Sequence, residues 1–87
     1  LTHYASQHSY ILELKVLSKK DFSAIVEGAF TEDGKPMTKA EKQWREALDQ
    51  IHQYAEAPRV EALRQGTKLH LIIMQFEGWE LKRMEEV

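Results

Sequence analysis

The sequence predicts an α/β fold: a mixed sheet with a long crossover helix and a C-terminal β-hairpin. Three observations support this prediction. Tyr10–Leu17 has the period-2 pattern of a strand, and Trp44–Ala55 repeats apolar residues at helical spacing. Lys68–Phe76 and Trp79–Met84 are strand-like segments separated by Glu77–Gly78. A strand that follows a crossover helix pairs in parallel with the first strand, whereas a two-residue turn makes the next strand antiparallel.

The composition is that of one small domain and excludes several classes of protein. The 87 residues include 12 basic and 14 acidic side chains. The resulting net charge of −2 argues against a generally basic nucleic-acid binder but leaves a local basic patch open. Because there is no cysteine, disulfides, thiolate zinc sites and cysteine nucleophiles are excluded. The longest apolar run, Leu71–Met74, is far shorter than the ~18 residues of a membrane span, and no export signal is visible, so we expect a cytoplasmic protein.

The first strand has two faces of different character. One face is predicted to pack on the core, because its alternate positions are all hydrophobic. These positions are Tyr10, Leu12, Leu14 and Val16. The other face carries Glu13 and Lys15 between Ile11 and Leu17, so a charged pair lies in the middle of an otherwise apolar face.

The segment Ser18–Met37 has the weakest pattern. Several of its apolar residues have helical spacing and allow a short helix. These residues are Phe22, Ile25, Val26, Ala29 and Phe30. Gly28 and Thr31–Pro36 indicate a turn instead.

A long helix is predicted to begin at Thr38. Thr38 and Glu41 have the spacing of a capping box, in which each side chain accepts an amide hydrogen at the helix start. One apolar stripe then follows, made of Trp44, Ala47, Leu48, Ile51, Tyr54 and Ala55. Pro58 ends this helix and suits the first turn of a second one, Arg59–Gln65, which Gly66 closes.

The C-terminal strands form the predicted hairpin. Lys68–Phe76 is apolar on both faces through its middle, which is typical of a strand between two layers. The following turn contains a glycine, which allows the positive φ of tight hairpins. Trp79 and Leu81 are expected to face inward, while Glu80 and Lys82 face outward and protect an edge strand.

Glu13 and Lys15 are the first candidate site residues. They are two residues apart on one strand, so they project from the same face. A carboxylate can hold a divalent metal ion, and a lysine can neutralise charge on phosphate oxygens, so the pair suits phosphodiester cleavage. The alternative is an edge strand that exposes a weak Glu–Lys ion pair to water.

Gln50 and Tyr54 are the second pair of candidates. They lie four residues apart on the long helix and therefore share a face. If the helix packs on the first strand, it can bring an amide and a phenol beside Glu13 and Lys15. The alternative is a tyrosine on the core stripe with a solvated glutamine.

At these residues the chain resembles a known family. YILELKV, then ALDQIHQYA, then a strand–glycine–strand ending are similar to the C-terminal half of the PD-(D/E)XK nuclease superfamily. The branch in question carries an added Q-x-x-x-Y motif and is found behind AAA-ATPase-like domains in anaerobic bacteria. The resemblance implies a fragment of a restriction-endonuclease-like core. It also implies that residues 1–87, which begin at Leu1, are a single partial domain, with 18–37 as an insertion.

The resemblance assigns roles to the candidate residues. Glu13 and the main-chain carbonyl of Leu14 would bind Mg²⁺ or Mn²⁺, and Lys15 would orient the water or stabilise the phosphate. Gln50 and Tyr54 would fix the lysine and the DNA backbone. The family's metal-binding aspartate lies on the preceding strand, and residues 1–9 contain no acidic residue. We therefore expect that the chain does not cleave nucleic acid by itself.

The resemblance leaves a second hypothesis open. The chain is alternatively a non-catalytic, nuclease-like module that contacts protein or nucleic acid and is attached to an ATPase. The implied partners are nucleic acid and the rest of an ATPase-like chain. A partial domain should also expose a sheet edge and apolar surface, so we expect a homodimer or strand exchange.

Three other groups of residues have weaker functional interpretations. The histidines have no spacing that selects a metal ligand set, and structural roles are expected for them; they are His3, His8, His52 and His70. A basic streak leads into the long helix and is either a phosphate-facing edge or a solvated helix face; it comprises Lys35, Lys39, Lys42 and Arg45. Trp44 and Trp79 are expected to pack in the core rather than to stack on bases.

Overall fold

A computed structural model describes residues 8–64 and 66–87, and places a long helix across one face of a three-stranded sheet. In chain order the elements are β1 (His8–Leu17), α1 (Lys19–Phe22), β2 (Ile25–Phe30), β3 (Pro36–Thr38), α2 (Lys39–Glu56), α3 (Pro58–Arg64), β4 (Lys68–Glu77) and β5 (Glu80–Glu86). The predicted α/β class, the crossover helix and the C-terminal hairpin are confirmed.

The sheet has the strand order β1-β4-β5. β1 pairs with β4 in parallel, which sets Glu13 beside Ile73 and Lys15 beside Gln75. β4 pairs with β5 in antiparallel fashion, with one irregularity between Gln75 and Phe76. β4 is thus the central strand, and β1 lies at one edge of the described sheet. Within the described residues, Glu13 and Lys15 therefore lie on an edge strand and not on the central one.

The Thr38 half of the predicted capping box is present at the N-terminus of α2, whereas the Glu41 side chain binds arginines instead of the Thr38 amide. The amide of Glu41 donates to the hydroxyl oxygen of Thr38 at 3.1 Å. The carboxylate of Glu41 pairs with Arg45 at 3.2 Å and with Arg83 at 3.4 Å. α3 begins at Pro58, where its missing N–H costs nothing in a first helical turn. The predicted C-terminal residue of α3, Gln65, lies outside the described residues.

The core forms where α2 crosses the central strand. The helix contributes Trp44, Ala47 and Ile51, and β4 contributes Leu71 and Ile73. The partly buried side chains around them are Ile11, Leu48, Ala55, Leu69 and Val87. Ala47 lets the helix approach closely, and Ile51 and Ile73 are fully buried. This confirms the predicted apolar stripe except for Tyr54, which is 53% exposed.

The covered face of β1 is the opposite of the predicted one. Tyr10, Leu12, Leu14 and Val16 are 54–58% exposed, whereas α2 covers the face that carries Glu13 and Lys15. The reason lies in β4, which is apolar on both faces. α2 packs on the β4 face of Leu71, Ile73 and Gln75, and the parallel register puts Glu13 and Lys15 on that same face. β4 is consequently covered on one face, not on both, within the described part of the chain.

The segment before α2 does not form the short helix that its apolar spacing allowed. Ile25–Phe30 is a strand, not a helix, and pairs with β3 in a separate two-stranded ribbon. β-branched and aromatic side chains favour the extended backbone here. The amide of Lys39 donates to the carbonyl of Ala24 at 2.8 Å, which ties the ribbon to the start of α2. That residues 18–37 are an insertion stays a prediction.

The turn of the C-terminal hairpin is displaced by one residue. It consists of Gly78 and Trp79, and Gly78 has a positive φ of 57°. Trp79 is therefore fully exposed, and Leu81 is 46% exposed, so the inward positions predicted for both are wrong. β5 is an edge strand rich in charge, as expected.

No helix among residues 8–64 and 66–87 combines the length and apolar character that crossing a membrane requires.

The ribbon is held against α2 by a bidentate ion pair. Two nitrogens of the Arg45 guanidinium donate to the two carboxylate oxygens of Glu32, each at 2.7 Å. These bonds lower the pKa of Glu32 from 4.5 to about 2 and raise the pKa of Arg45. A carboxylate whose pKa is lowered by folding stabilises the folded state above its unfolded pKa, and this contribution is lost as the pH falls through the folded pKa.

The variant Glu32→Gln should therefore melt at a slightly lower temperature than the wild type at pH 7. The difference should shrink from about pH 4.5 downwards and vanish near pH 2. The effect is small because the Glu32 side chain is 80% exposed to solvent. Thermal unfolding followed by circular dichroism measures the melting temperatures of Glu32→Gln and of the wild type. Glu27→Gln on β2 is the control. A difference in melting temperature between Glu32→Gln and the wild type that stays the same at acidic pH would contradict the ion pair.

Candidate active site

β1 presents a half-buried ion pair beneath α2. Lys15 Nζ lies 3.3 Å from Glu13 Oε1, and their side chains are 26% and 18% exposed. The two residues share a face because successive strand side chains alternate between faces. The helix removes much of the surrounding water, which strengthens the attraction between the two charges relative to a fully exposed pair.

α2 adds an amide to this pair. Lys15 Nζ donates a hydrogen bond to Gln50 Oε1 at 3.1 Å. Gln50 precedes Ile51, so the packing of Ile51 in the core fixes the side of the helix on which Gln50 lies. The structure thus brings together three of the predicted site residues, Glu13, Lys15 and Gln50. The alternative prediction, in which the Glu13–Lys15 ion pair is exposed to water, is not observed, because α2 covers most of both side chains.

Tyr54 lies one helical turn beyond Gln50 and is not drawn into this cluster. Its side chain is 53% exposed. Within residues 8–64 and 66–87, no hydrogen bond connects its hydroxyl to another residue. The structure therefore places Tyr54 on the same helix as Gln50 but in solvent, where its phenol is accessible from outside.

The main-chain carbonyl of Leu14 faces the free edge of β1. Carbonyl groups along a strand point alternately to its two edges. The carbonyl of Leu17 accepts from the amide of Gly78 at 2.7 Å, so it points towards β4. The carbonyl of Leu14, three residues earlier, consequently points to the opposite edge, which no strand of the described residues occupies. This edge runs past Glu13.

Two glutamines outside the predicted site hold the helix in place. Gln75 is 2% exposed, and its amide nitrogen donates to the carbonyl of Ala40 at 2.8 Å and to Gln43 Oε1 at 3.0 Å. Because Gln75 lies beside Lys15 in the parallel register, it ties the first turns of α2 to the sheet next to the site. A signal was present: Gln75 is a lone amide in an apolar strand, and Gln43 precedes Gln50 by seven residues.

The oxygen atoms present fit part of a magnesium site. Mg²⁺ prefers oxygen ligands in octahedral geometry, keeps several waters, and uses one or two carboxylates together with substrate phosphates. Glu13 and the Leu14 carbonyl supply two such oxygens on neighbouring residues. No group of three or more His, Asp or Glu side chains that could hold a metal ion is found in the described ranges. A second carboxylate would have to be brought to the free edge of β1.

His8 and His70 lie away from this site and contact one another, whereas His52 is an exposed residue of α2. His8 Nδ1 and His70 Nε2 are 2.8 Å apart, and His70 Nδ1 lies 3.0 Å from Glu86 Oε2. Tyr10 stacks on the His70 ring with centroids 4.9 Å apart. These contacts join β1, β4 and β5 at the end of the sheet opposite the hairpin, in keeping with the structural role expected for histidines. His3 lies outside the described residues.

The basic streak before and within α2 is neutralised by carboxylates. Each cation has an acidic partner within 4 Å: Lys35 with Asp33, Lys39 with Asp21, Lys42 with Glu46, and Arg45 with Glu32. The pairing favours a solvated helix face over a phosphate-binding edge, because a cation already paired attracts a phosphate less strongly. Trp44 is 3% exposed and packs in the core as predicted, with the Arg83 guanidinium 3.8 Å from its ring centroid.

Comparison with known families gives one match. The model of the PD-(D/E)XK nuclease superfamily matches residues 1–86. No curated protein and no solved structure matches the chain. The superfamily identified from the sequence is thereby confirmed, while the neighbouring ATPase-like domain stays a prediction.

Proposed function

The chain belongs to the PD-(D/E)XK nuclease superfamily, and from this membership and the geometry of the site we propose that it is part of a metal-dependent phosphodiesterase that acts on nucleic acid. The observation that supports the proposal most directly is the cluster of Glu13, Lys15 and Gln50, in which a lysine is held by a carboxylate and an amide beneath a helix. Burying part of an ion pair is costly, and such costs are most often retained at functional sites.

Each residue of the cluster has a proposed role. Glu13 and the Leu14 carbonyl hold Mg²⁺ or Mn²⁺, which when bound polarises a phosphate and lowers the pKa of a coordinated water. Lys15 neutralises charge on the phosphate oxygens, and its fixed position avoids reorganisation during the reaction. Gln50 restrains the Lys15 ammonium at 3.1 Å. Tyr54, exposed one turn further along α2, contacts the nucleic-acid backbone.

The proposed metal site needs a further carboxylate. The Leu14 carbonyl faces an edge at which an additional strand can pair with β1, and a side chain of that strand can lie beside Glu13. The described residues by themselves are proposed not to cleave nucleic acid. An ATPase-like domain as a partner within the same protein and a cytoplasmic location also belong to this proposal.

Manganese binding tests the proposed ligands in the 87-residue chain itself. Mn²⁺ broadens the NMR signals of nuclei close to it, so titration should selectively weaken the amide signals of Leu14 and Lys15. Glu13→Gln should abolish this effect, because a neutral amide is a poor ligand for a hard cation. The matched control is Glu46→Gln, which removes a carboxylate from another Glu–Lys pair, with Lys42. Broadening that is unchanged in Glu13→Gln, or centred elsewhere, would remove Glu13 from the metal site.

A second function is a non-catalytic, nuclease-like module for contact with nucleic acid or protein. This second function is favoured by the ion pair between Lys15 and Glu13. The cluster of Glu13, Lys15 and Gln50 contains one carboxylate, and Lys15 already pairs with it. This module would bind nucleic acid equally well with and without Mg²⁺ and leave it intact. Electrophoresis of the DNA recovered from such binding reactions separates the two functions, because a phosphodiesterase shortens or nicks it.

A further inference from the structure

Two glutamine side chains connect the strands to the helix that covers the site; we call their hydrogen bonds the amide bridge. The amide nitrogen of Gln75 on β4 donates to the carbonyl of Ala40 at 2.8 Å and to Gln43 Oε1 at 3.0 Å. The amide nitrogen of Gln43 on α2 donates to the main-chain carbonyl of Val16 at 3.4 Å. The amide bridge therefore starts on the central strand, passes through the first turns of α2 and ends on β1, one residue beyond Lys15.

The amide bridge buries polar groups where hydrophobic side chains would pack at lower cost. Gln75 is 2% exposed and is the one polar side chain in the buried core of residues 8–64 and 66–87. It shares the α2-facing side of β4 with Leu71 and Ile73, where a hydrophobic side chain would need no hydrogen-bond partner. Hydrophobic contacts are non-directional, whereas hydrogen bonds have a narrow range of length and angle. The amide bridge therefore specifies one placement of α2 on the sheet.

The hydrophobic contacts of α2 leave this placement incompletely determined. Ile51 is fully buried and prevents the helix from rotating, but a single contact leaves the helix free to pivot. Near the start of the helix, Trp44 packs on the side of β5, with the Arg83 guanidinium 3.8 Å from its ring centroid. Gln43 lies about 12 Å from Ile51 along the helix axis and reaches β1 instead. The amide bridge is thus a second anchor of α2, and it ties the first turns of the helix to the strand of the site.

Gln43 and Gln50 make a fixed and a movable contact between α2 and β1. They are seven residues apart, or two helical turns, and therefore lie on the same side of α2. Gln43 contacts the main chain of Val16, which the pairing with β4 holds in place. Gln50 accepts a hydrogen bond at 3.1 Å from the end of the flexible Lys15 side chain. The fixed contact consequently determines where Gln50 presents its oxygen to the ammonium of Lys15.

We propose that Gln43 and Gln75 are positioning residues for Lys15, because the amide bridge holds α2 at the place on the sheet where Gln50 restrains the Lys15 ammonium. Neither glutamine touches metal or phosphate; both act through Gln50. The inference rests on the proposed function, since that function assigns Lys15 to the phosphate. A misplacement of about 1 Å can slow catalysis by about 100-fold, so a small shift of α2 is enough to affect the reaction.

NMR spectroscopy of the 87-residue chain tests the positions of the side chains without any reaction. The wild type should show a nuclear Overhauser effect (NOE) between the Lys15 side chain and the side-chain amide of Gln50, which are in contact. This NOE should be lost in Gln75→Met and in Gln43→Met. Methionine fills the space of glutamine with an apolar, flexible side chain and removes the amide. Circular dichroism checks that each variant is folded.

Two controls separate positioning from stability. Gln53→Met makes the same chemical change at an exposed position of α2 and should keep the NOE between Lys15 and Gln50. Ile73→Val removes a buried methyl group from the face of β4 that carries Gln75, and it lowers the melting temperature without touching an amide. It should also keep the NOE.

Cleavage kinetics test the consequence in a polypeptide that supplies the second carboxylate beside β1. Gln75→Met should lower kcat for plasmid nicking by about 10- to 100-fold and leave KM unchanged, because Lys15 acts on charge in the transition state. Gln53→Met and Ile73→Val should nick at the wild-type rate at a temperature where both are folded.

Folded Gln43→Met and Gln75→Met that keep the NOE and kcat overturn the proposal. So does a wild type without the NOE, or an Ile73→Val in which the NOE is lost as well, because the amide bridge then contributes only stability. If Gln75→Met does not fold, the half-buried Gln43 decides the question through Gln43→Met. A wild-type polypeptide that never nicks DNA contradicts the proposed function, whereas the NOE still decides whether the amide bridge positions Lys15.

Discussion

In a polypeptide that supplies the second carboxylate beside β1, Lys15→Met should slow metal-dependent cleavage of DNA by about 100-fold or more. Methionine keeps the length of the side chain but removes the ammonium that would neutralise the phosphate oxygens. Glu13→Gln should cause a loss of similar size by removing a metal ligand. The rate of nicking of supercoiled plasmid in the presence of Mg²⁺ or Mn²⁺ measures both.

The matched controls for these variants are Lys42→Met and Glu46→Gln. They alter a Glu–Lys pair on α2 whose side chains are 57% and 60% exposed, so cleavage should continue at the wild-type rate. If both Lys15→Met and Glu13→Gln cleave as fast as the controls, neither residue takes part in the reaction. Cleavage lost equally in all four variants would indicate a general loss of the folded state, because Lys→Met and Glu→Gln change the net charge in opposite directions.

Ile73→Ala should be one of the most destabilising single substitutions in the core. Ile73 is fully buried between α2 and the sheet, and truncating such a residue costs about 2–5 kcal/mol. A domain of this size has a total stability of about 4–13 kcal/mol. The melting temperature should consequently fall by about 10 °C or more.

Thermal unfolding by calorimetry or circular dichroism measures this effect. Leu63→Ala on α3 is the control, since Leu63 is 69% exposed and its truncation should change the free energy of unfolding by about 0.5 kcal/mol or less. Equal destabilisation by the two substitutions would mean that the core is not centred on Ile73.

Local rules predicted those features that depend on residues close together in the sequence. The helix start at Thr38 follows from one capping interaction, and the C-terminal hairpin follows from one glycine turn. The pairing of Glu13 with Lys15 also follows from spacing alone, since two residues of separation fix a common strand face. The placement of Gln50 required only that the apolar stripe of α2 pack against the sheet.

The covered face of β1 was not predictable in this way. Hydrophobic periodicity identifies an apolar face but does not identify what covers it. The face of Leu12 and Leu14 is the more apolar one, yet α2 packs on the other because that face continues into Leu71 and Ile73 of the central strand. The exposure of Trp79 depended on a shift of the turn by one residue, and the buried amide of Gln75 depended on long-range contacts with α2.

The adjacency of Gln50 and Ile51 on α2 has a consequence for thermal inactivation. Gln50 belongs to the site and Ile51 is fully buried in the core, so both residues move together with α2. Gln50 cannot swing away from Lys15 by helix rotation unless Ile51 leaves its packing. On heating, the hydrogen bond between Gln50 and Lys15 should therefore be lost in the same cooperative transition as the fold. No folded intermediate that lacks this bond should be populated.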